Sequence, residues 1–206
     1  MNLKVLAQPA VEPVTLADMK EFLRVDATTE DAMISALISA AREHVERFTR
    51  RTLIYTAYRM TIDLFPDGDI ELPRSVAISA AANTITGINY ATPRIRYWDT
   101  DGNQQTMVVD TDYELLLDDN PPRIVTPALE LWPLTYSGQR GAVEVDFIAG
   151  YGAAGNTVPP MLRHAIKMMV SHWYEHREAV VTGTIATELP LAVDSILRLY
   201  QDGGYN

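Results

Sequence analysis

The spacing of apolar residues changes twice along the chain, and this limits the possible folds more than any other feature. In 16–50 apolar residues recur at the period of amphipathic helices. In 53–151 they alternate with polar residues, as in half-buried strands, and in 160–201 the helical period returns. Helices on both sides of a run of short strands predict an α+β fold. We expect a helical bundle of two N-terminal and two C-terminal helices, with an inserted antiparallel β-sheet or small barrel.

The two N-terminal helices carry start signals. Thr15 and Asp18 have the spacing of a capping box and predict a helix over 16–25. Thr28 is the predicted N-cap of a second helix that runs to about Arg50. The charged side of this second helix, around His44, is expected to face solvent.

The central segment consists of short alternating runs separated by turn signals. Hairpins are predicted around 99–103 and 118–122, and the last strand contains the alternating residues Val143, Val145 and Phe147. We expect one domain over 1–206, in which 14–52 and 157–201 are helical and 53–156 is the β insert. The strand order in 75–93 is left open.

The net charge argues against a protein whose main activity is to bind nucleic acid. The formal net charge is −10, whereas release of counterions from phosphates requires a basic face. The sequence contains no cysteine, which excludes disulfides and thiolate metal sites. It shows neither a signal peptide nor a run of about 20 apolar residues, so no membrane partner is expected.

The motif with the most chemical content is His172-Trp-Tyr-Glu175-His176, which matches a zinc-binding H-x-x-E-H pattern. Two histidines one helical turn apart can share a metal ion, and a hydrolase of this kind would use His172, Glu175 and His176. A third ligand must then come from the acids that follow, and none has a distinctive spacing. We therefore predict no metal site and no catalytic residue, and keep a metal-dependent hydrolase as an alternative.

A glycine motif, Gly150-Tyr-Gly152-Ala-Ala-Gly155, matches the dinucleotide pattern G-x-G-x-x-G. Residues 156–160 separate it from the next helix, and no later strand completes a βαβ unit. A flexible strand-to-helix turn is the preferred interpretation, and no cofactor is predicted.

Several segments, taken in order, resemble the head–tail connector (adaptor) proteins of tailed phages and their gene-transfer-agent relatives. The segments are VTLADMKEFLRVD (14–26), EDAMISALISAAREHVERFT (30–49), YWDTDG (97–102), PRIV (122–125), GAVEVDFIAGYG (141–152) and VPPMLRHAIKMMVSHWYEHRE (158–178). The likeness extends from about residue 14 to about residue 181, and 75–93 fits it less well.

The resemblance implies a virion structural protein and not an enzyme. It implies a ring of about twelve copies in the neck, assembled in the host cytoplasm beneath the portal. The ring would join the portal to the next neck or tail component, and genomic DNA would pass through its channel without sequence-specific binding. An acid-lined channel would repel DNA phosphates.

The final helix and tail are the predicted portal interface, because they place apolar side chains on a short chain end. The candidate residues are Leu189, Ile196, Leu199, Tyr200 and Tyr205. A monomeric binding module, in which the β insert captures a partner, is a further alternative.

Overall fold

The computed structural model describes residues 1–73, 84–85, 88–89, 93–117, 119, 121–128, 130–136, 138–176 and 191–201. Much of 75–93, for which no strand order was predicted, lies outside these ranges. The chain forms two compact units. The β unit comprises Met1–Ala10 and Tyr55–Tyr151, and the helical unit comprises Val11–Ile54 and Gly152–Asn206. Helices and antiparallel strands are both present, so the predicted α+β class is confirmed.

The β unit contains every strand of the described residues. They are β1 (Asn2–Ala7), β2 (Thr56–Ile62), β3 (Ile70–Glu71), β4 (Thr84–Ile85), β5 (Ile88–Asn89), β6 (Arg94–Trp98), β7 (Gln104–Thr106), β8 (Glu114–Leu116), β9 (Arg123–Val125) and β10 (Val143–Ala149). They form a five-stranded sheet in the order β1-β2-β10-β6-β7, a three-stranded sheet β3-β9-β8 and the pair β4-β5. These sheets are open, so the alternative of a small barrel finds no support in the described strands.

The core of the β unit lies on one face of the five-stranded sheet. Strand β10 pairs antiparallel with β2, with Val145 opposite Met60 and Phe147 opposite Tyr58. These side chains are buried, and the rings of Tyr58 and Phe147 stack with centroids 5.6 Å apart. The predicted alternation is therefore confirmed here, because side chains two positions apart in a strand share a face.

Both predicted hairpins are confirmed. Strands β6 and β7 pair across the 99–103 turn, and β8 pairs with β9 across 118–122. Asp99 closes the first turn by accepting hydrogen bonds from the backbone N–H groups of Asp101 and Asn103. This carboxylate satisfies the turn backbone, as an aspartate at the start of a turn commonly does.

The first strand was not predicted. Strand β1 pairs antiparallel with β2 at one edge of the sheet, and its register shifts between Val5 and Ala7. Most of its side chains are exposed or half-buried, so its apolar pattern is weak. The β unit thus includes residues that precede both N-terminal helices.

The helical unit contains α1 (Leu16–Leu23), α2 (Asp31–Thr49), a 3-10 turn (Gly155–Thr157), α3 (Pro160–Glu175) and α4 (Leu191–Leu199). The Thr15 cap is confirmed, since its hydroxyl accepts a hydrogen bond from the Asp18 N–H at 3.1 Å. The helix stops at Leu23, short of residue 25, because Arg24 adopts the left-handed conformation with φ 58°. Within the described ranges no helix combines the length and apolarity needed to cross a membrane.

Two predictions about the second helix are wrong. It begins at Asp31 with Glu30 as N-cap, and Thr28 instead accepts the Asp31 N–H through its backbone carbonyl. Its charged side is only partly solvated, since Arg42 and Glu46 are buried. Arg42 donates hydrogen bonds to Glu46 and to Glu12, both within 2.9 Å, and these ion pairs offset the cost of burying the charges.

The pKa of Tyr113 gives a test of packing in the β unit. Burial, and after it the charges of Asp110 and Asp112, raises the pKa of the phenol from 10.0 to about 12. The hydroxyl donates a hydrogen bond to the Pro93 carbonyl. Because the pKa is raised on folding, the group stabilises the fold fully below pH 10, and this contribution is lost as the pH rises toward 12.

Replacing Tyr113 with Phe should therefore flatten the alkaline fall in stability. We expect the free-energy difference between wild type and Tyr113→Phe to change by roughly 2 kcal/mol between pH 9 and pH 12. Urea unfolding at each pH measures it, with Tyr136→Phe as an exposed control. Identical pH profiles for wild type and Tyr113→Phe would contradict the buried, hydrogen-bonded phenol.

Candidate interaction surfaces

The H-x-x-E-H motif lies at the end of α3. The rings of His172 and His176 are 4.5 Å apart, and the His176 Nδ1 lies 2.9 Å from the His172 carbonyl oxygen. Such a contact needs a proton on Nδ1, which leaves Nε2 as the atom able to bind a metal. Among the residues that the structure describes, no group of three His, Asp or Glu side chains is arranged to hold a metal ion. The motif supplies two adjacent histidines without a described third ligand.

The glycine motif forms a packed turn. Gly150 has φ 136°, a conformation that favours glycine. A Cβ on Gly155 would lie 2.7 Å from the Glu12 carbonyl oxygen, so only glycine fits against this backbone. The next α-helix, α3, begins at Pro160, five residues after the motif. Its free N-terminal N–H groups therefore lie outside the glycine motif, where they could not bind a phosphate held by the glycines. The geometry matches the predicted strand-to-helix turn.

His44 belongs to the helical unit's packing. Its ring stacks on Phe48 and meets Trp173 edge-on, both with centroids 6.5 Å away. The Nε2 atom is buried and has no hydrogen-bond partner among the residues that the structure describes. The expected solvated position is therefore wrong for this residue, because aromatic neighbours cover the ring.

In α4, the last described helix, some apolar residues are buried and others are exposed to solvent. Val193 and Leu197 are buried, and Arg51 donates a hydrogen bond to the Tyr200 carbonyl at 2.8 Å. Leu191 and Leu199 are 82% and 67% exposed.

Of the predicted portal residues, the structure places three. Leu199 is exposed, and Ile196 and Tyr200 are half-buried, whereas Leu189 and Tyr205 lie outside the described residues.

An ion-pair network lies on the face of the five-stranded sheet opposite its main core, beside a small apolar cluster of Ala7, Ala57 and Ile148. Arg59 binds both Asp146 oxygens, at 2.6 and 2.9 Å, and Arg96 binds Asp146 at 3.0 Å and Glu144 at 2.8 Å. The Asp146 side chain is only 4% exposed. The network joins β2, β10 and β6 by side chains in addition to the backbone ladder. Sequence patterns gave no sign of it beyond the polar half of each alternating strand.

An exposed apolar patch lies elsewhere on the β unit, and sequence reasoning missed it. We define the loop patch as Leu64–Asp69 together with Thr126 and Glu130–Thr135, which border a groove of about 640 Å³. Leu131 and Leu134 are 91% and 80% exposed. Beneath them Phe65 stacks on Trp132 with centroids 5.0 Å apart. Exposed apolar patches of this kind mark surfaces for protein contacts.

Comparison with known proteins identifies similar chains. The family model described as "Phage gp6-like head-tail connector protein" matches residues 13–114. Sequence comparison with curated proteins finds no match.

Three solved structures share the fold over nearly the whole chain, each covering 98% of this chain and 95% of the other. One comes from the neck of an empty gene transfer agent (GTA) particle computed with C6 symmetry, with a TM-score of 0.73 and 23% identity. A chain of the native GTA virion gives 0.72 and 22%, and one of the native neck computed with C12 symmetry gives 0.70 and 22%.

The ion-pair network predicts a large loss of stability when its buried carboxylate is removed. Asp146→Ala removes the most buried carboxylate that Arg59 and Arg96 share and leaves them the longer or single contacts with Glu144, so we expect the free energy of unfolding to fall by about 3 kcal/mol. Urea denaturation measures the change. Asp101→Ala, in an exposed turn, is the matched control and should change it by less than ~0.5 kcal/mol. Equal effects of the two substitutions would show that the network does not stabilise the sheet.

Proposed function

Because the chain belongs to the phage gp6-like head-tail connector family, we propose that it is a structural protein of the virion neck. In this role it joins the capsid's portal to the next neck or tail component. The observation that carries the proposal is the shared fold with neck chains over 98% of its length, together with the family match.

The neck structures that share its fold were computed with C6 and C12 symmetry, which supports a ring of copies. A closed ring needs head-to-tail contacts between two different surfaces of the same chain. We propose such a ring of twelve, assembled in the host cytoplasm and retained in the virion neck. In each copy the four helices form one bundle, and residues 53–156 are the β insert between its second and third helices.

The portal contact is assigned to the last helix. Leu191 and Leu199 project apolar side chains into solvent, while Val193 and Leu197 hold the helix on the helical unit. We include Leu189, Ile196, Tyr200 and Tyr205 in the proposed interface. Burying large apolar side chains at the centre of a contact supplies most of the binding energy of such interfaces.

The ring would also form part of the path of genomic DNA. The net charge of −10 favours a channel wall that repels phosphates, so DNA passes without adhering. No sequence-specific contact with DNA and no cofactor are part of this function.

An enzymatic role is not proposed. The hydrolase alternative needs a third ligand near His172 and His176, and the described part of the chain does not bring one there. A protein that joins other proteins needs interaction surfaces, and this role does not require a catalytic pocket.

The neck assignment is tested by imaging and composition. Reconstruction of the neck from purified particles should place this chain in a ring directly beneath the portal. Particles that lack the chain would overturn the proposal. So would zinc-dependent turnover that His172→Ala abolishes and that an exposed control, His164→Ala, leaves intact.

The portal contact is tested on the exposed side chains of α4. Leu191→Asp with Leu199→Asp should weaken binding to isolated portal rings by about tenfold or more, since each substitution places a charge in an apolar contact. Surface plasmon resonance on immobilised portal measures it. The matched control is Val108→Asp with Leu116→Asp, two exposed apolar positions on the β unit. Unchanged portal binding by the α4 variant would exclude this helix from the interface.

A further inference from the structure

We propose that the loop patch of one copy binds the outer face of α3 in the next copy, so that these two surfaces form the lateral contact of the ring. The inference rests on the ring proposed above. It assigns that contact to named side chains.

Side-chain contacts hold the loop patch in place, although its described residues form no helix or strand. Trp132 donates an indole hydrogen bond to the Gly68 carbonyl at 2.8 Å, and Phe65 stacks on the same indole with an interplanar angle of 2°. Phe65 also meets Tyr97 edge-on at 5.5 Å. This stack holds Leu131 and Leu134 outward, where they are 91% and 80% exposed. A surface fixed before binding loses little conformational entropy when it binds.

The border of the patch is acidic. Asp67, Asp69 and Glu130 line the groove beside the leucines. Asp69 pairs with Arg123 at 2.7 Å, whereas Asp67 and Glu130 have no cationic partner in the part of the chain that the structure describes. A partner surface that combines apolar and cationic side chains would therefore complement the patch.

One face of α3, which packs against Phe22 of α1, combines apolar and cationic side chains. Phe22 is 41% exposed, and it packs edge-on against His164 and beneath the Lys167 ammonium, which lies 5.9 Å from the ring centroid. Arg163 precedes Lys167 by one helical turn and lies on the same side. Up to Tyr174 the helix contains no Asp or Glu, in a chain whose net charge is −10.

A second copy is the partner that these observations favour. The chain carries both complementary surfaces, one acidic and apolar and the other basic and apolar. Two different patches that fit each other head to tail produce a cyclic assembly when the rotation closes. A surface for a separate neck protein would need no matching partner on this chain.

Disulfide trapping tests the contact directly, because the chain has no cysteine of its own. Leu131→Cys combined with His164→Cys should give, in assembled necks under mild oxidation, a ladder of crosslinked multiples on a non-reducing gel. The matched control is Asp101→Cys with His164→Cys, which moves one thiol to an exposed turn outside the patch. A ladder only with the first pair supports the contact. Absence of the ladder in necks that contain the ring overturns it.

Charge reversal gives a second, independent readout. Asp67→Lys with Glu130→Lys should lower the number of copies per particle, measured by quantitative mass spectrometry, by about tenfold or more. Adding Arg163→Glu and Lys167→Glu should restore most of the loss. Asp101→Lys with Glu114→Lys makes the same charge change elsewhere on the β unit and should have little effect.

The outcomes separate this inference from the proposed function. Normal incorporation of the Asp67→Lys/Glu130→Lys variant overturns the lateral contact and leaves the neck role standing. A loss that the α3 reversal does not rescue also overturns it, since the patch then binds a different surface. Wild-type particles without the chain overturn the neck role itself.

Discussion

The antiparallel pairing of β2 with β10 is the contact on which the rest of the structure depends. Thr56 at the start of β2 lies opposite Ala149 at the end of β10. The chain therefore enters and leaves the β unit at neighbouring positions, although almost a hundred residues separate them in sequence. The same two strands carry the apolar core on one face and the Arg59–Asp146 ion pair on the other. Loss of this pairing would remove the core, the network and the closure of the insert together.

The predictable part of the fold was the part with strong local signals. The alternation in 58–62 and 143–147, and the turn residues between β6 and β7 and between β8 and β9, predicted real strands because burial on one face enforces a period of two. Strand β1 was not predicted, because an edge strand with mostly exposed residues shows no clear alternation of apolar and polar side chains. Thr28 has a good capping side chain, but the helix begins three residues later at Asp31.

Contacts between residues distant in sequence account for the remaining differences. Arg42 and Glu46 look like an exposed pair on a helix surface. Their burial depends on partners distant in sequence, since Glu12 accepts a hydrogen bond from Arg42, 30 positions later, and the Leu53 N–H donates one to Glu46. The loop patch shows the same limit for function. Its run Leu131-Trp132-Pro133-Leu134 has neither a helical nor a strand period, so the sequence pattern did not predict it. The two motifs that did match known patterns, the glycine motif and the H-x-x-E-H motif, are a packed turn and a pair of histidines at a helix end.

The two edge strands of the five-stranded sheet decide whether a second copy of the chain can add a strand to it. One edge is β7, three residues long and lined by exposed polar side chains. The other is β1, whose register shift between Val5 and Ala7 interrupts its outer row of backbone groups. Short, polar or irregular edges are poor templates for a further strand. Neither border of this sheet therefore favours the addition of a strand from a second copy, so contacts between copies must use other surfaces than the sheet edges.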